Sequence, residues 1–144
     1  MKKFICLGIL VLMTVVCIVP AYAAGQTTNV GTQGVVAPQW TYISLLSPGL
    51  SINSSGKATC MGLASAYDSS HTTILTVELQ KSAGSSWNTI KTWPASSTGV
   101  SVATVEESYY VVNGTYRVCA TAKVYNAYGN LLESKSLYSS TVIY

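Results

Sequence analysis

The chain has 144 residues, with 8 Lys and Arg against 5 Asp and Glu and a formal net charge of +3. Two of the positive charges, Lys2 and Lys3, belong to an N-terminal segment with the features of an export signal, and without them the net charge falls to +1. Such a weak charge gives no electrostatic footprint for nucleic acid or an anionic membrane. The ample apolar content, 49%, also excludes a disordered composition.

Residues 1–23 have the three parts of a secretory signal peptide. Lys2 and Lys3 form a basic start, residues 4–19 are an uncharged apolar run, and Ala21-Tyr22-Ala23 is a small-x-small cleavage site. A membrane anchor would need ~20 apolar residues, whereas Pro20 and a polar chain follow this run. We therefore expect a secreted, extracellular protein without a membrane anchor after signal cleavage.

Residues 24–38 are rich in Gly, Thr and Gln and show no alternation, which predicts a flexible N-terminal segment. Residues 39–144 are expected to form a single domain of short strands separated by turns. Ser47-Pro48-Gly49 is expected to end the first strand and Pro94 the fourth. The predicted strands cover residues 40–46, 57–67, 72–82, 87–93, 99–106 and 115–125, with a last strand running from the 128–130 turn through Leu137 towards Tyr144.

Two of these runs alternate clearly between apolar and polar side chains. In the third run, the residues predicted to face the core are Thr73, Leu75, Val77 and Leu79. In the sixth run they are Tyr116, Val118, Ala120, Ala122 and Val124. About seven strands without helices predict an all-β fold, an antiparallel β-sandwich of two sheets. A closed barrel of six to eight strands is the alternative.

Four cysteines divide evenly between the signal and the domain. Cys6 and Cys17 lie in the signal peptide, so Cys60 and Cys119 remain after cleavage. In an oxidising compartment two such cysteines most often pair, which predicts a Cys60–Cys119 disulfide bond. Two free buried thiols are the alternative.

The run Asn113-Gly114-Thr115-Tyr116-Arg117-Val118 resembles part of the immunoglobulin-like and fibronectin-type-III-like sandwiches, where an early tyrosine forms the tyrosine corner. The resemblance implies that Tyr116 hydrogen-bonds to the preceding loop. Antibody-type domains carry a cysteine two residues after that tyrosine, but here Cys119 comes three residues after it. Such a shift turns the sulfur to the other face, so a bulge must re-aim Cys119 or the disulfide lies on an outer face or rim.

A second resemblance covers residues 39–140. Its motifs are Trp40-x-Tyr42-Ile43, Gly56-x-Ala58-x-Cys60, Leu79-Gln80-Lys81, Gly84, Trp87-x-x-Ile90-x-x-Trp93 and Gly114-x-Tyr116-Arg117-Val118. Their order resembles a family of small secreted proteins from Gram-positive bacteria, catalogued as a domain of unknown function. The resemblance implies export and one β-sandwich domain, and it implies no activity.

The polar residues do not predict an enzyme. His71 is the only histidine and Asp68 the only aspartate, and no nucleophile-elbow signature accompanies them. We therefore expect a solvated turn histidine, no catalytic residues and no cofactor. One His, one Asp, four Glu and two Cys do not predict a zinc site. Calcium could use Asp68 or Glu106-Glu107, but no acidic loop predicts it, so no metal is expected.

Aromatic residues are the candidates for a ligand platform. Trp87 and Trp93 share a face on a regular strand and stand ~20 Å apart, so they could stack on sugar rings. Alternatively, a bulge turns Trp87, Ile90 and Trp93 towards the core. Tyr109 and Tyr110 form a second candidate patch. Arg117, the only arginine, is expected to be a surface or cross-strand partner rather than an anion site.

These features favour a noncatalytic secreted module that binds a cell-wall polysaccharide or an extracellular protein, or is surface-associated. The hypothesis is motivated by low charge, many hydroxyls and surplus aromatic side chains. A structural matrix or self-assembling extracellular protein is the alternative, because the apolar Thr141-Val142-Ile143-Tyr144 terminus could support association between strands.

Overall fold

The structure is a computed structural model that describes residues 39–144, so the predicted signal peptide and flexible segment lie outside the described residues. The described part is all-β, without a helix. Its strands are β1 (Ile43–Ile52), β2 (Lys57–Ala66), β3 (Thr72–Ala83), β4 (Ser86–Thr98), β5 (Ala103–Tyr110), β6 (Thr115–Tyr125), β7 (Leu131–Tyr138) and β8 (Val142–Ile143). No helix in this range is long and apolar enough to cross a membrane.

The strands form two antiparallel sheets, which confirms the predicted β-sandwich. One sheet has the order β1-β2-β5, and the other has the order β4-β3-β6-β7 with β8 also pairing with β6. No strand of residues 39–144 is shared between the sheets, so the barrel alternative is wrong. The fourth strand joins the third, whereas immunoglobulin constant domains place it in the first sheet. The strand order therefore differs from that of immunoglobulin constant domains.

The core lies between the central strands of the two sheets. All nine inward residues predicted for the third and sixth runs are buried, as the alternation indicated. The opposing sheet contributes buried residues that include Ile43, Leu46, Cys60 and Ala64. Gly62 of β2 allows close approach of the sheets, because a Cβ atom there would overlap Val77 Cγ2.

Two proline-based boundaries are wrong. Pro48 lies within β1 and Pro94 within β4, and both strands continue beyond them. Both are edge strands, where a residue without an N–H group is tolerated because one side of the strand needs no partner. The fifth strand also begins later than predicted, at Ala103, because Gly99 turns the chain at a φ of 69°.

The last predicted strand is interrupted. β7 places Tyr138 opposite Cys119, and β8 places Val142 opposite Tyr116, so the two pairings with β6 differ by one residue in register. At the interruption the Ser139 hydroxyl accepts a hydrogen bond from the Val118 N–H at 2.9 Å. The terminal segment on which the self-assembly alternative depends therefore pairs within the domain.

The predicted Cys60–Cys119 disulfide is not formed, and both thiols are free and buried. Cys60 belongs to the core cluster, but Cys119 lies between the inward residues Val118 and Ala120 and therefore faces the outer side of its sheet. The register of β6 with β3 runs unbroken past Cys119, so no bulge re-aims the sulfur. Cys119 is thus shifted by one residue relative to the cysteine of antibody domains, which places its sulfur on the outer face of the larger sheet. The Cys60 sulfur lies on the core side of that sheet.

We expect both cysteines to be recovered as thiols from protein kept under oxidising conditions. Burial raises the pKa of the Cys60 thiol to about 11, and burial is also the main cause that raises the pKa of Cys119. Since the thiolate is the reactive form, iodoacetamide should react slowly with native protein and rapidly with both residues after denaturation. Mass spectrometry of the denatured, unreduced protein measures this. An unalkylated pair that reacts only after reduction would contradict the assignment.

Candidate binding surface

The two tryptophans of β4 lie on opposite faces, so the predicted shared platform is wrong. Leu79 of β3 pairs with Lys91 but Gln80 pairs with Thr89, which leaves Ile90 as an extra residue in β4. An extra residue reverses which side chains face the core. Trp93, opposite the buried Val77, packs against the core, whereas Trp87, opposite Ser82, faces outward. The bulge alternative holds for Trp93 alone.

The outward Trp87 belongs to a cluster that spans the larger sheet. The guanidinium carbon of Arg117 lies 4.2 Å from the ring centroid of Trp87 and 4.0 Å from that of Tyr138. These three residues, which we call the arginine stack, come from β4, β6 and β7. Arg117 is thus the cross-strand partner that the sequence predicts. Such stacking is favourable because the aromatic face carries partial negative charge.

A buried glutamine fixes the orientation of the guanidinium. Arg117 Nε donates a hydrogen bond to Gln80 Oε1 at 2.9 Å. The Gln80 amide Nε2 donates in turn to Glu78 Oε2 at 3.3 Å and to Thr89 Oγ1 at 3.4 Å. Gln80 is only 9% exposed, so its amide is held by packing as well as by these bonds. The Arg117 side chain is therefore held by contacts with two aromatic rings and by one hydrogen bond.

The rest of the outer face is dominated by hydroxyl groups. Thr121 and Ser136 are joined by a hydrogen bond of 2.7 Å between their side-chain oxygens, and the thiol of Cys119 lies 4.0 Å from Thr121 Oγ1. Lys123 follows on the same side of β6 and is exposed. This sheet face therefore combines neutral hydroxyls with one charged aromatic cluster.

Tyr109 and Tyr110 belong to a different surface. They line an open groove of about 230 Å³ whose other walls are Lys81, Ile90, Val111, Val112 and Tyr116. Tyr110 is 71% exposed, and the Lys81 ammonium lies 5.6 Å from the Tyr116 ring centroid. The groove is smaller than the ~300 Å³ at the lower end of small-molecule sites. The four predicted platform residues therefore occupy three separate environments.

His71 and Asp68 do not form a catalytic pair in the structure. The Asp68 carboxylate accepts hydrogen bonds from the Ser70 N–H and the Ser70 hydroxyl, both at 2.7 Å. These bonds, the backbone one first, lower the pKa of Asp68. The His71 ring instead packs edge-on against Tyr42, with centroids 5.6 Å apart. Within residues 39–144, no group of three or more metal-ligating side chains occurs.

Glu133 forms an unpredicted link between the two sheets. Its carboxylate on β7 accepts hydrogen bonds from the backbone N–H groups of Tyr42 at 2.8 Å, Ile43 at 3.0 Å and Thr41 at 3.4 Å. Desolvation opposes the ionisation of Glu133, but these three donors outweigh it and hold the pKa below its usual value. The carboxylate therefore anchors the start of β1 to the opposite sheet.

Sequence reasoning missed the centre of this surface for identifiable reasons. Nothing near Arg117 in the sequence marks Tyr138 or Trp87 as its neighbours, because the three residues lie on three strands.

A scan against protein-family models finds no match, and a search of the curated proteins finds none. The function is therefore inferred from the residues of this chain alone.

Proposed function

We propose that the chain is a noncatalytic binding or surface-associated module that acts outside the cell, on a cell-wall glycan or a protein partner. The observation that carries the proposal is the arginine stack on the outer face of the larger sheet. Trp, Tyr and Arg are the residue types enriched at the energetic centres of binding interfaces. The signal-like sequence of residues 1–23 supports the extracellular setting.

The contacts that Asp68 and His71 make in their loop support a role without catalysis. Asp68 is occupied by Ser70, and His71 contacts an aromatic ring rather than a carboxylate or a nucleophile. A general base needs an orienting partner and a nucleophile within hydrogen-bond reach. This loop therefore favours a turn-stabilising role for both residues.

The alternative of self-assembly through strand pairing has weaker support. Edge strands associate most readily when they are regular and uncharged. Here β1 and β4 each contain a proline, β7 ends at a register shift, and β5 carries Glu106 and Glu107. Each of these four edge strands thus carries a feature that hinders pairing with another chain.

Binding assays on variants of the stack test the proposed surface. Residues 24–144 include every strand of the two sheets. Incubated with purified cell wall, insoluble polysaccharides and immobilised secreted proteins, this fragment should bind saturably to one of them. Trp87→Ala and Arg117→Gln should each weaken binding about tenfold or more, since central interface residues cost at least ~1.4 kcal/mol on truncation.

Two matched variants serve as controls. Lys123→Gln removes a positive charge from the same face of β6, and Tyr110→Ala truncates an exposed aromatic side chain in the groove. Both should bind as the wild type does, with all variants checked for folding by circular dichroism. Binding lost only in Tyr110→Ala would move the site to the groove. Saturable binding to none of the three materials would count against the proposed function.

A further inference from the structure

We infer that the arginine stack is a carboxylate-binding site, and that the partner is a protein segment presenting an Asp or Glu side chain to Arg117. This inference rests on the proposed function and specifies the partner's chemistry. It revises the expectation that Arg117 is not an anion site. The reason is the unused hydrogen-bonding capacity of an ordered guanidinium.

The guanidinium group has five N–H donors. Among the side-chain hydrogen bonds of residues 39–144, the bond from Nε to Gln80 is the one that the Arg117 guanidinium donates. The guanidinium carbon lies over the rings of both Trp87 and Tyr138. A ligand can therefore reach the group at its Nη edge, where the remaining donors match the two oxygens of a carboxylate.

The surroundings keep this edge available. The nearest carboxylate along β3, that of Glu78, accepts a hydrogen bond from the Gln80 amide instead of pairing with Arg117. Because the arginine is held by two rings and Gln80, binding costs less side-chain entropy than for a free surface arginine. The site thus favours an anionic partner.

The ring contacts favour a protein over a glycan. A sugar platform needs exposed aromatic faces, but Trp87 and Tyr138 each have one face against the guanidinium. A tryptophan, a tyrosine and an arginine with a carboxylate acceptor are instead the composition of a protein interface centre. The partner that fits is therefore an acidic polypeptide segment.

Side-chain NMR with model anions tests the inference directly. Arg117 is the only arginine of the chain, so the guanidinium region of a ¹⁵N spectrum contains the signals of one residue. Residues 24–144 are titrated with a capped tetraglutamate peptide, with tetraglutamine and with tetragalacturonate. We expect saturable shifts of the Arg117 Nη signals with tetraglutamate, weaker ones with tetragalacturonate and none with tetraglutamine.

Variants separate guanidinium geometry from net charge. Arg117→Lys keeps the charge but loses the two-pronged donor edge, and its affinity for tetraglutamate should fall about tenfold. Lys123→Gln should reduce affinity by less than about threefold, since it lies away from the stack. Equal affinity of Arg117→Lys and wild type would overturn the inference, as would tetraglutamate binding that leaves the Nη signals unmoved.

The same experiment separates failure of the inference from failure of the proposed function. Tighter binding of tetragalacturonate than of tetraglutamate would overturn the protein assignment while leaving a binding role for this surface. A different outcome is that no acidic probe shifts the Arg117 signals, but Trp87→Ala no longer binds the material that the wild type captures in the binding assay. The carboxylate assignment would then be wrong, and the proposed binding function would remain supported. Failure of both assays would remove the function together with the inference.

Discussion

Replacing Tyr116 by Ala is expected to lower the free energy of unfolding by about 3–5 kcal/mol, the range for truncation of a large buried aromatic residue. Tyr116 is only 1% exposed and belongs to the core cluster. Its hydroxyl donates a hydrogen bond to the Val112 carbonyl at 2.5 Å, which ties the loop before β6 to the strand. The substitution therefore removes core volume and this link together.

The two contributions can be separated by a smaller change. Tyr116→Phe keeps the ring and should cost about 0.5–1.5 kcal/mol, the net value of one hydrogen bond. Urea unfolding followed by circular dichroism measures both variants, and the phenylalanine variant carries the test if the alanine variant does not fold. Tyr128→Ala is the control, because Tyr128 is 90% exposed. A phenylalanine variant as stable as wild type would show that the tyrosine corner contributes nothing.

Replacing Glu133 by Gln is expected to lower the free energy of unfolding by about 1.5–3 kcal/mol at neutral pH, because bonds to a charged acceptor are worth more than neutral ones. The carboxylate accepts two short backbone hydrogen bonds and one longer one. Glutamine offers a neutral oxygen and places an NH₂ group against N–H donors. Urea unfolding at pH 7 measures the difference, and Glu106→Gln on the exposed side of β5 is the control.

The loss should depend on pH in a definite direction. The folded-state pKa of Glu133 lies below its ordinary value of 4.5, so its contribution is present above pH 4.5 and is lost as pH falls through the folded pKa. The difference in the free energy of unfolding between wild type and Glu133→Gln should therefore become smaller in acid. Asp68 also has a lowered pKa. Because Asp68 is present in both the wild type and Glu133→Gln, its contribution cancels when their free energies of unfolding are subtracted. A gap that widens below pH 4.5 would contradict the proposed bonds.

The central strands β3 and β6 could be predicted from sequence because one face of each strand packs against the core. Alternation of period two fixes the inward side of β3 and β6, and the predicted sixth strand has the observed bounds of Thr115–Tyr125. The hydrogen bond from Tyr116 to the preceding loop is likewise confirmed. These features depend on neighbours in sequence, which local patterns report.

The edge strands and the candidate site depend on information that local patterns lack. Pro48 and Pro94 would end a strand only if that strand had hydrogen-bonded partners on both sides. A short stretch of sequence does not show whether its strand lies at the edge or at the centre of a sheet. The bulge at Ile90 has no local signature, yet it decides which face Trp87 occupies. Glu133 contacts residues about 90 positions away. Each error thus arises where tertiary pairing decides the outcome.

The most direct test of the binding surface uses the three tryptophan indole N–H signals of the NMR spectrum. Residues 24–144 would be compared alone and saturated with the material retained in the binding assay. If the outer sheet face is the binding surface, the Trp87 indole signal and the Arg117 side-chain signals shift, while Trp93 and the backbone amides of residues 109–112 stay unchanged. Shifts at Trp93 or at residues 109–112, with Trp87 and Arg117 unmoved, would contradict the account.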